Sequence, residues 1–191
     1  TNVCEIALKY GGTIDKFIGD SVMIFFGDPD TKGAKEDAIA CCQMAMEMLS
    51  FLENNQQHFQ DMYNFPEKLE IRVGIHNGLC NVGNFGSEQR LDYTAIGRTV
   101  NVAARLEQAA PKNSILVSSA IRNLIKNKFE TSSPIEVKAK GIDKPIPSYV
   151  LTRQDSSNVK VIKELDGLKL EYDPNKIDKN KLLQIIGDLD N

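Results

Sequence analysis

No apolar run in this chain of 191 residues approaches the about 18 consecutive residues that a membrane-spanning helix needs. The longest, Val22-Met23-Ile24-Phe25-Phe26, is the size of a strand. Nothing resembles a signal peptide. Positive charge is not in excess: 23 Lys and Arg stand against 26 Asp and Glu, a formal net charge of −3. No bulk field therefore draws in nucleic acid or an anionic membrane, and only a local basic pocket remains open. Histidine is scarce, with only His58 and His76, too few for a histidine-rich zinc site. The four cysteines, Cys4, Cys41, Cys42 and Cys80, form no CxxC pair, and two of them are adjacent. That pattern fits reduced thiols in a cytoplasmic setting better than a disulfide framework. The chain has no GxxxxGKS or GxxxxGKT loop, no dinucleotide fingerprint among the glycines at 11, 12, 19, 27 and 33, and no GxSxG elbow. P-loop nucleotidase and serine-hydrolase readings are thereby unsupported.

What is present is the composition of an ordinary globular protein, 41% hydrophobic and 26% charged. The length suits one domain of about 150 residues plus an appendage. The first residue is Thr1, and the chain opens partway into a helix, so it is expected to begin inside its domain.

Residues 2–10 read as the end of a helix stopped by Gly11-Gly12. Thr13 to Ile18 alternates polar and apolar residues as a half-buried strand does, and Gly19-Asp20 is a two-residue hairpin signal into the run 22–26. Lys16 and Asp20 are thus expected near one tight turn. Residues 34–53 form the clearest helix, with Ala38, Cys42, Ala45, Leu49 and Leu52 on one stripe. Met44, Met46 and Met48 read as core filling. Residues 54–68 read as a polar loop. Leu69 to His76 alternates as a strand, and Asn77-Gly78 predicts a turn into a returning strand at 79–82. Gly83–Arg90 reads as an exposed arm, Asp92–Ile96 as a short strand, and 99–109 as an Ala-rich helix. A buried strand at 115–117, a helix at 120–127 capped by Ser118-Ser119, extended chain at 129–137, a loop at 138–147 and a strand at 148–151 complete the domain. Together these elements predict an α+β sheet with helices packed on one face. The domain spans 1–151. Residues 152–191 are a linker and C-terminal extension, with a strand at Leu168–Tyr172 and an amphipathic helix at 176–189.

Two constellations carry chemistry. Asp20, on a Gly-containing hairpin tip, is a sterically open carboxylate of the kind that suits Mg²⁺. Asp is also favoured in turns for conformational reasons alone. Asn101 and Arg105 are four apart and share one helix face. An amide beside a guanidinium can hold a sugar oxygen and a phosphate, and can neutralise charge developing on phosphorus. A solvated polar face carrying a surface ion pair is the competing reading. Cys80 has only His76 near it in sequence and reads as a core residue rather than a nucleophile.

Taken together, four segments resemble the catalytic domain of the class III nucleotidyl cyclases. They are Gly12-Thr13-Ile14-Asp15-Lys16-Phe17-Ile18-Gly19-Asp20-Ser21-Val22-Met23, Val73-Gly74-Ile75-His76-Asn77-Gly78, Asp92 through Leu106, and Lys138-Ala139-Lys140-Gly141. Their order and spacing are specific where each alone is not. The resemblance runs from about Gly12 to Leu151. It implies an α+β fold of ferredoxin-like, palm type, an antiparallel sheet with helices packed on it that lacks its first strand in this chain.

The resemblance also implies conversion of a nucleoside triphosphate to its 3′,5′-cyclic monophosphate and pyrophosphate, assisted by two divalent metal ions, Mg²⁺ or Mn²⁺. Asp20 matches the second of two metal aspartates. Asn101 matches the residue that orients the ribose, and Arg105 the one that stabilises the pentacoordinate phosphorus. Lys140 matches a lysine that contacts the terminal phosphates, with Lys138 as a rival. Lys16 and Thr94 match the purine-reading pair, and a Lys donor with a Thr hydroxyl suits ATP. Glu and Cys at those positions would suit GTP.

Thr94 resembles the bicarbonate-responsive subgroup, which implies a bicarbonate effector. A flat dose response at constant pH would remove that expectation. Family members form head-to-tail homodimers with sites shared across the interface, and an upstream sensor domain is implied. The first metal aspartate lies in a Phe-x-Asp-Ile/Val-x-Gly-Phe pattern that does not occur here. One metal ligand is therefore expected to be missing, and activity of the chain as given is in question. The readings that compete with an adenylate cyclase are a guanylate cyclase and a non-catalytic, nucleotide-binding or dimerising homology domain.

Overall fold

The structure is a computed structural model that describes residues 2–64, 66–87, 89–137 and 145–152, and the backbone of 161–165 and 168–172. The chain divides into two units, Thr1–Thr152 and Arg153–Asn191. The first unit begins with α1 (Asn2–Lys9), then β1 (Thr13–Ile18) and β2 (Ser21–Phe25). Next come the long α2 (Ala34–Asn54), α3 (Gln56–Tyr63) and β3 (Arg72–Ile75). Then follow β4 (Asn81–Ser87), β5 (Arg90–Ile96), α4 (Arg98–Ala109), β6 (Ser114–Ser118) and α5 (Ser119–Ile125). It closes with β7 (Glu130–Thr131), β8 (Ile135–Val137) and β9 (Ile146–Thr152). In the second unit β10 (Val161–Leu165) pairs antiparallel with β11 (Leu168–Tyr172). The linker at 154–158 and the helix expected at 176–189 lie outside the described residues.

The main sheet runs β3-β6-β9-β7, with β8 also on β9. It is mixed rather than wholly antiparallel, because β3 and β6 run parallel. The parallel pair follows from the connection between them, which carries a hairpin and α4 and so has the length of a crossover. Helices cover both faces of the sheet, not one as expected. Ile115 and Val117 of β6 pack with Ala38, Cys42, Ala45 and Leu49 of α2 and with Ile121 and Ile125 of α5. Leu116, between them, packs with Val102 and Leu106 of α4. A strand buried on both faces shows no alternation, and the continuous run Ile115-Leu116-Val117 carries that mark of a second layer. Met44 and Met48 fill the contact with Ile6 and Ala7 of α1, as core residues.

α4 lies on β3 at Gly74. A Cβ there would sit 2.8 Å from Glu107 Cα, and closer still to Glu107 N and Ala103 O. Only glycine lets the helix backbone come so near, and the helix carries Asn101 and Arg105. Gly74→Ala should therefore cost about 3 kcal/mol of stability, an overpacking effect against rigid backbone. Chemical denaturation reads it directly, and an unmoved midpoint would show that α4 does not press on β3.

Two further expectations changed. The polar stretch 54–68 contains α3, held by contacts that periodicity does not show. Phe59 lies 6.1 Å from Phe51 and 6.4 Å from Tyr63, and the Gln56 side chain bonds both the N–H and the carbonyl of Leu69. Asn77-Gly78 does not return β3 into a neighbouring strand. β4 pairs instead with β5 over their whole length, and Thr99 Oγ1 donates to the Leu79 carbonyl at 2.6 Å, which fastens this loop to the start of α4.

Candidate active site

The two hairpins that precede α4 bring the candidate residues into place. In β1–β2, Ile18 pairs with Ser21, so Gly19-Asp20 is a two-residue turn, as expected. Gly19 takes a φ of 63°, a left-handed conformation that only glycine adopts without strain. Asp20 is exposed at this tip and has no hydrogen bond or ion pair to another described residue.

Lys16 does not simply alternate with its neighbours. The register shifts between Ile14 and Lys16, so Asp15 sits in a β-bulge. On a regular strand adjacent side chains face opposite ways, and a bulge re-aims one of them. Here Lys16 Nζ lies 3.2 Å from Asp15 Oδ1, although the two residues are neighbours. The Asp15 side chain has 0% exposure and that of Lys16 has 41%.

Thr94 is 4% exposed on β5. Its Oγ1 donates to Asp15 at 2.9 Å and 2.7 Å, and the next backbone N–H, of Ala95, donates to Asp15 Oδ2 at 2.9 Å. Asp15 thus joins β1 to β5, and Lys16 and Thr94 meet on one carboxylate. Tyr93 adds a second tie, its hydroxyl donating to Asp28, and that bond raises its phenol above the ordinary 10.0.

On α4, Val102 and Leu106 are buried while Asn101 and Arg105 are exposed on one face. Arg105 Nη1 donates to Gln108 Oε1 at 2.8 Å. It forms no ion pair among the described residues. Lys138 and Lys140 lie outside the described residues. Among the described residues no group of three or more His, Cys, Asp or Glu is placed to hold a metal ion.

Cys80 is exposed, contrary to the expectation of a core residue. The helix at 98–109 carries the apolar burial here, and Cys80 sits in the loop packed outside Gly97. His76 is bonded elsewhere. Its Nδ1 is 2.8 Å from Ser118 Oγ, and burial holds the imidazole below its ordinary 6.5. That bond also takes the Ser118 hydroxyl, which makes no side-chain cap on α5. Burial raises Cys41, and pushes Cys42 up to about 12, away from the thiolate form that a nucleophilic cysteine needs. Among the described residues no helix is long and apolar enough to cross a membrane. Sequence reasoning missed Asp15. Its only signal is a carboxylate beside Lys16, two adjacent polar residues in a short strand.

The fold is that of the palm-like cyclase catalytic domains. It superposes on the adenylyl cyclase CyaB from P. aeruginosa with a TM-score of 0.76 at 44% identity, covering 81% of this chain and 79% of that one. On the guanylyl cyclase Cya2 the TM-score is 0.72 at 28% identity, covering 78% and 74%. An adenylate cyclase of Anabaena cylindrica is 34% identical over 144 residues, 73% of this chain and 28% of that protein. The chain therefore spans under a third of that relative's length. Residues 7–153 match the family described as the Adenylate and Guanylate cyclase catalytic domain, and the chain belongs to it.

Proposed function

We propose that this chain is the catalytic domain of an adenylate cyclase, converting ATP to 3′,5′-cyclic AMP and pyrophosphate. The observation that carries the choice of ATP is the convergence of Lys16 and Thr94 on Asp15. An ammonium donor beside a hydroxyl oxygen suits the N1 acceptor and N6 amine of adenine. Identity to the adenylyl cyclase CyaB supports the same reading. Likeness to the guanylyl cyclase Cya2 favours GTP as the second reading, and Lys16 and Thr94 argue against it.

In this reading Asn101 holds the ribose. Arg105, four residues on, meets the charge that develops on the α-phosphorus. Lys140 holds the terminal phosphates. Divalent metal, when bound, supplies activation of the ribose 3′-hydroxyl and neutralisation of the triphosphate. Asp20 would hold it, being an exposed carboxylate with no bond to another described residue, the oxygen donor that Mg²⁺ prefers.

The sites lie across a homodimer. Leu79 is 98% exposed, and Phe17, Ile18 and Leu91 are also largely exposed. Large apolar side chains left over from a chain's own core support a pairing surface. Asp20 of one protomer would then serve the site whose Lys16 and Arg105 come from the other. Asp20→Ala and Arg105→Ala chains, each inactive alone, should recover about a quarter of normal cyclic AMP formation when mixed. Half of randomly paired dimers are mixed, and each has one intact site of two. The assay uses the protein with any natural flanking sequence, and an inactive mixture argues against shared sites.

A further inference from the structure

Asp15 is assigned no contact with the nucleotide, yet it touches both residues assigned to the purine. Its carboxylate, fully buried, accepts from the Thr94 hydroxyl at 2.7 Å and from the Ala95 N–H at 2.9 Å, and it pairs with Lys16 Nζ at 3.2 Å. The β-bulge between Ile14 and Lys16 is what allows one carboxylate to reach Thr94 while its strand neighbour turns to the same side. Bulges of this kind re-aim side chains, and they are over-represented beside active sites.

An ionised carboxylate only accepts hydrogen bonds, so each contact fixes where its partner's proton lies. A threonine hydroxyl has one proton and two lone pairs. With the proton committed to Asp15, the oxygen can meet a ligand only as an acceptor. Lys16 has three N–H donors and no acceptor, so it still offers a donor after pairing with Asp15. The pair therefore presents an acceptor beside a donor. Adenine matches that edge, with the N6 amine as donor and N1 as acceptor. Guanine and hypoxanthine present O6 as acceptor and N1–H as donor, and meet it with both polarities reversed.

We propose that Asp15 is a positioning residue for base selection. It sets the hydrogen-bond polarity of the Lys16–Thr94 pair and so makes the domain read a 6-aminopurine rather than a 6-oxopurine. The proposal rests on the reading that Lys16 and Thr94 face the base. Without Asp15 the Thr94 hydroxyl is free to rotate and donate to O6, and the rejection of oxopurines weakens.

The test compares kcat/KM for ATP and for inosine triphosphate, which differ only at this edge. Asp15→Asn keeps the shape and supplies an amide that can donate to Thr94. It should lower the ATP-to-inosine-triphosphate ratio by about tenfold or more, the scale of one well-placed hydrogen bond. The exchange D15N/T94D moves the acceptor-only group to position 94 and leaves one carboxylate in the buried pair. It should keep the ratio within about threefold of the starting value. Because it preserves the local charge, it tests the idea even where D15N alone folds poorly.

A merely structural Asp15 would lower activity on both nucleotides together. A D15N protein with an unchanged ratio overturns the proposal, as does an exchange variant as unselective as D15N. Thr94→Val and Lys16→Met report separately on the underlying reading. If both leave the ratio unchanged, these residues do not face the base. If they shift it and the Asp15 variants do not, Asp15 alone is misassigned.

Discussion

Arg105→Ala lowers kcat by about 100- to 1,000-fold, the usual loss when one preorganised donor to a developing charge is removed. KM for ATP should change little, because the charge on the phosphorus centre appears only in the transition state. The geometry makes this a clean substitution. Arg105 is exposed, and its bond to another described residue runs to Gln108 one turn on. The helix is held from its other face by Val102 and Leu106, which are 5% and 0% exposed. The variant should therefore melt close to the starting protein. Arg105→Lys should recover little, since a point charge does not replace a planar fork of donors. Steady-state kinetics with a thermal melt decide the matter. A kcat that stays within a few-fold would remove Arg105 from the chemistry and leave it a polar surface residue.

Lys16→Glu combined with Thr94→Cys should cut the preference for ATP over GTP by at least about 100-fold. A site built to bond a polar edge rejects a mismatched partner strongly, because its own groups are left unpaired. Glu at position 16 would accept from the guanine N1–H, where Lys16 can only donate. The structure also sets a cost. Lys16 pairs with Asp15, whose side chain has no exposure, so a glutamate there stands beside a buried like charge. Total turnover and melting temperature should fall along with the ratio. The ratio of kcat/KM for the two nucleotides separates specificity from that general loss. A ratio that does not move would detach this pair from the base.

Much of this was readable before any coordinates. The stripe Ala38, Cys42, Ala45 and Leu49 is buried as its spacing requires. Asn101 and Arg105 share an exposed face because Val102 and Leu106 take the opposite one. The Gly19-Asp20 turn follows from local chemistry alone. What stayed hidden depends on contacts distant in sequence. α3 rests on Phe59 meeting Phe51 and Tyr63. The pairing of β4 with β5 overrides the strong turn signal of Asn77-Gly78. Asp15 needed a bulge, which adds one residue to one strand, and only the adjacent polar pair Asp15-Lys16 marks it in the sequence. Its partner on β5 lies 79 residues away. Local pattern could point to Lys16 and Thr94 separately, but only the fold brings them onto one carboxylate.

Product analysis with ATP and GTP supplied in turn, with Mg²⁺ or Mn²⁺, tests the central claim most directly. The protein is assayed with any natural flanking sequence. Formation of 3′,5′-cyclic AMP and pyrophosphate from ATP, with GTP a poor substrate, is the expected result. Preferential formation of cyclic GMP would contradict the base assignment. Bound nucleotide with no cyclic product from either triphosphate would contradict catalysis and leave a nucleotide-binding, dimerising domain.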